Sequence, residues 1–88
     1  MISDQTVRQI LELSPQLGKL LAGKSPEVQS AALADCCAMY LAGHRVKDDP
    51  EATAALRAEL LAALVELIRE LIEPNAKEID ARLKWSRQ

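Results

Sequence analysis

The sequence predicts an all-α fold, a small bundle of about four helices in one domain spanning residues 1–88. Three observations carry that prediction. Ala and Leu contribute 14 residues each, whereas no stretch alternates apolar and polar residues as a strand would. Pro15, Pro26 and Pro50 each follow a Ser or Asp, the order expected where a capping residue precedes the first helical position. Apolar residues recur every three or four positions, the spacing that gathers side chains on one helix face.

The first helix is expected over 4–13, capped by Ser3, with Val7, Ile10 and Leu11 on its apolar face. Ser14-Pro15 repeats the start signal, so a second short helix is expected over 15–22, lined by Leu17, Leu20 and Leu21 and stopped by Gly23. Ser25-Pro26-Glu27 begins a third, over 26–43, with Glu27 at the positive end of the helix dipole and Gly43 as its stop. Between Ala31 and Gly43 its only charged residue is Asp35, so it lacks the solvated face of an ordinary surface helix. Leu33, Cys37, Tyr40 and Leu41 gather on one side; Val28, Ala32, Cys36 and Met39 lie roughly opposite.

After the basic loop Gly43-His44-Arg45-Val46-Lys47, aspartate before Pro50 caps a long fourth helix over 50–83. Leu56, Leu60, Leu64, Leu67 and Leu71 form its main stripe, and Leu61, Val65, Ile68 and Ile72 form a second beside it. The combined apolar arc is wider than the ~100° that one packing contact uses. Glu59, Glu66, Arg69, Glu70 and Glu73 make the opposite face an acidic ridge. Pro74 lacks the N–H that would reach the Glu70 carbonyl, yet Ile72, Ala76, Ile79 and Leu83 keep helical spacing through it, so a kink with helix on both sides is expected. Lys77, Arg82, Lys84 and Arg87 against Glu78 and Asp80 make the last segment net positive, which suits a helix C-terminus.

Composition narrows the function. A net charge of -2 and two aromatics, Tyr40 and Trp85, supply neither the basic field nor the stacking platform of a nucleic-acid binder. The long helix would present Asp49-Pro50-Glu51 to phosphate, the wrong chemistry for a recognition helix. No charge-free apolar run approaches the ~20 residues of a membrane span, and Met1-Ile2-Ser3-Asp4 does not open a signal peptide, so a cytoplasmic protein is expected.

Enzymatic readings fare no better. Gly18-Lys19-Leu20-Leu21-Ala22-Gly23-Lys24-Ser25 spells the phosphate-loop pattern literally, but that loop works only between a buried strand and a helix, and here the upstream segment reads as helix. Cys36 and Cys37 are adjacent and diverge by about 100° on a helix, so they are expected to remain packed thiols. With His44 the only histidine, the chain lacks a zinc set and a nucleophile–base pair, and no cofactor is expected.

What remains is more apolar helix surface than one 88-residue core consumes. The surplus predicts protein binding, with Leu61, Val65, Ile68 and Ile72 as the contact stripe, Leu33, Tyr40 and Leu41 beside them, and Trp85 as an aromatic anchor. Ser25-Pro26-Glu27-Val28, Leu41-Ala42-Gly43-His44, Asp49-Pro50-Glu51-Ala52-Thr53 and Asn75-Ala76-Lys77 carry a family resemblance over roughly residues 25–80. In these segments the chain resembles the quorum-sensing antiactivators of bacterial conjugative elements. That resemblance implies sequestration of a LuxR-type or related transcriptional activator by protein–protein contact, repressing transfer genes. It transfers no functional residue by motif, so the contact residues rest on the surplus apolar face. The same stripe could instead build a homodimer or a larger structural assembly, the alternative from another class.

Overall fold

Every helix start that the capping residues indicate is present except one. The computed structural model describes residues 2–86 and consists of α1 (Asp4–Leu21), α2 (Pro26–Ala42) and α3 (Pro50–Ser86), with no strand among the described residues. Ser3 caps α1, its Oγ accepting from the Thr6 amide at 3.1 Å. Ser25 caps α2 through the Val28 amide at 3.3 Å, and Asp49 caps α3 through the Ala52 amide at 2.9 Å. In each case a side-chain oxygen satisfies a first-turn donor that has no partner inside the helix.

The exception is Ser14-Pro15. The expected helices 4–13 and 15–22 are a single α1 running through Pro15, so there are three helices rather than about four. Pro15 removes one helical donor, but Val7, Ile10, Ser14, Leu17 and Leu21 stay in phase across it, so one apolar face is preserved only if the helix continues. The Gln16 side chain donates to the Glu12 carbonyl at 3.1 Å in the same turn. α1 ends where Ala22 leaves the helix, its amide bonding the Gly18 carbonyl, and Gly23 takes φ 76°, a left-handed conformation that costs glycine little. α3 is likewise continuous through Pro74 and extends to Ser86, beyond the expected end at 83. Arg87 lies outside the described residues.

The chain divides into two units, Met1–Cys37 and Ala38–Gln88, with the division inside α2. In the first, the Gln29 side chain reaches back to donate to the Leu21 carbonyl at 2.8 Å, tying α2 to the end of α1. In the second, the last turn of α2, the loop and α3 are joined by the contacts described below. No side chain among the described residues is buried. The half-buried positions of α3 are Ala52, Thr53, Leu56, Arg57, Leu60, Leu64 and Ala76, concentrated in its N-terminal part. The expectation of packed cysteines is corrected accordingly: both thiols are free, Cys37 is half-buried and Cys36 is exposed, because α2 has more apolar circumference than its neighbours cover.

Candidate protein-binding surface

The C-terminal end of α2 carries carbonyls without helical partners, and its last turn contains no basic residue. Arg57 of α3 supplies the missing cation. Its Nε donates to the Leu41 and His44 carbonyls at 3.1 and 3.2 Å, and an Nη donates to the Ala42 carbonyl at 3.0 Å. A planar guanidinium with several donors can serve three acceptors at once, and its charge meets the negative end of the α2 dipole. One turn earlier, Thr53 Oγ1 accepts from the Val46 amide at 3.0 Å and donates to the Val46 carbonyl at 3.1 Å. Arg57 and Thr53 thus fix the loop 43–49 onto the first turns of α3.

His44 completes this anchor. Its Nδ1 lies 2.6 Å from the Tyr40 carbonyl, so that nitrogen carries the proton, and its ring meets the Tyr40 ring edge-on with centroids 4.7 Å apart. Tyr40 and Leu41 are therefore engaged in the turn: Leu41 is half-buried, while Tyr40 remains exposed on its outer side.

Farther along α3 the surroundings change. Leu61, Val65, Ile68 and Ile72 fall within about 60° of one another around the helix and are 47, 37, 49 and 57% exposed. Leu67 and Leu71, the lower part of the neighbouring stripe, are exposed as well. Ile68, Leu71, Ile72, Asn75, Ala76 and Ile79 line a shallow, predominantly apolar depression on this side of α3.

No protein-family model, curated protein or solved structure matches this chain. Function must therefore be argued from the surface itself.

The structure brings four of the eight expected contact residues, Leu61, Val65, Ile68 and Ile72, onto one open face. Leu33 is exposed but belongs to the other unit. Trp85, at 80% the most exposed of the large apolar side chains, points about 120° away from the Leu61 direction. It is separate from the stripe.

Arg57 and Thr53 were missed by the sequence reading. The available signal was a lone Arg within Ala52-Thr53-Ala54-Ala55-Leu56-Arg57-Ala58, downstream of a helix whose last turn has no base of its own. The phosphate-loop string is not built as one: Gly18 to Leu21 lie in α1, where amides serve the helix rather than an anion. Among the described residues no group of three or more His, Cys, Asp or Glu could hold a metal ion. No helix among them is long and apolar enough to cross a membrane.

Proposed function

We propose that this protein is a small regulatory binding protein that masks a transcriptional activator through the apolar face of α3. One observation carries the reading: a chain with no buried side chain among its described residues displays Leu61, Val65, Ile68 and Ile72 as a continuous exposed stripe. An amphipathic helix of an activator laid along that stripe would bury apolar surface on both partners, the helix-in-groove mode of recognition. The resemblance of residues 25–80 to quorum-sensing antiactivators supplies the class of partner, a LuxR-type or related activator.

The test is competition between the chain and DNA for the activator. Purified chain is expected to release a LuxR-type activator of the same cell from its promoter DNA in a band-shift assay. Val65→Asp/Ile68→Asp is expected to abolish that release while helicity by circular dichroism is retained. Full DNA occupancy at a hundredfold excess of the native chain would reject activator masking.

A permanent assembly subunit is the second reading. The exposure of Val7, Ile10, Leu17 and Leu20 on α1 favours it, because two separate apolar faces permit contacts that do not close into a dimer. Sedimentation distinguishes the two, since an assembly subunit would form a stable high-order oligomer at micromolar concentration.

A further inference from the structure

We draw no further inference here: the strongest candidate, the continuation of the exposed apolar face of α3 past Ile72 through Ile79 to Leu83, with its shallow depression, extends the surface already described, and nothing in the structure shows what covers it.

Discussion

Residues 50–64 and 65–85 belong to one helix, yet they are stabilised in different ways. The first stretch holds six of the seven half-buried positions of α3, and both of its polar anchors, Thr53 and Arg57, reach the end of α2 and the loop. In the second stretch Ala76 alone is less than exposed, and the exposed ion pair of Arg82 with Glu78, at 2.6 Å, is local to one turn. Isolated helices of about this length are marginal in water, and an exposed i,i+4 pair adds only about 0.3–0.5 kcal/mol. The lesson is that the N-terminal part of α3 is held by contacts with the loop and the end of α2, whereas the C-terminal part leaves every large side chain exposed. Amide exchange should reveal the contrast directly: protection over residues 53–64 should exceed protection over 65–85.

The largest expected effect removes the anchor. Arg57→Ala leaves the Leu41, Ala42 and His44 carbonyls without their shared donor and should cost on the order of 3 kcal/mol in urea unfolding. Arg57→Lys should recover only part of that loss, because an ammonium cannot present the same planar set of donors. Next comes Pro74→Ala in the unanchored stretch. Restoring the missing amide and removing the ring should stabilise the local helix by roughly 2–3 kcal/mol. Slower exchange over residues 70–80, with residues 50–64 unchanged, would check it. Equal slowing in both stretches would erase the distinction between them.

Thr53→Val tests whether the anchor includes the loop. It deletes both bonds to Val46 at nearly constant volume and should cost about 1–2 kcal/mol. Thr53→Ser, which retains the hydroxyl, should cost clearly less by thermal unfolding.

The anchored and unanchored parts were unequally legible in the sequence. Helix class, three of the starts and the apolar phase of α3 follow from local rules: Ser3, Ser25 and Asp49 each bond an amide three residues away, so a short window contains the whole cause. Ser14-Pro15 misled because it satisfies the same local rule, and only the continuity of Val7 through Leu21 across it outweighs that signal. Pro74 posed the same conflict, and helix on both sides of it was legible because Ile72, Ala76, Ile79 and Leu83 continue the pattern beyond it. Arg57 was not legible from local pattern alone, since its partners lie 13 to 16 residues earlier and are backbone carbonyls that no side-chain motif marks. The exposed stripe was readable as surplus apolar surface; its occupant is a property of two molecules, which intrachain periodicity does not specify.

The smallest expected effect lies at Asp48, in the loop that the anchor holds. Asp48 has φ 59°, the left-handed region in which a Cβ crowds the backbone and which Gly occupies freely. Asp tolerates this conformation better than most residues, so the strain is modest, and it persists because Thr53 and Arg57 fix the backbone before it while Asp49, capping the Ala52 amide, fixes the backbone after it. Asp48→Gly should therefore raise stability by up to about 1 kcal/mol, a gain reduced by glycine's greater freedom in the unfolded chain. Asp48→Val should lower it by about 1–2 kcal/mol, because a β-branched side chain fits that region poorly. Opposite signs in thermal unfolding would show that Asp48 is strained within a rigid anchor. If both substitutions were neutral, the loop would be free to relax, and the contrast between the two parts of α3 would narrow from its N-terminal side.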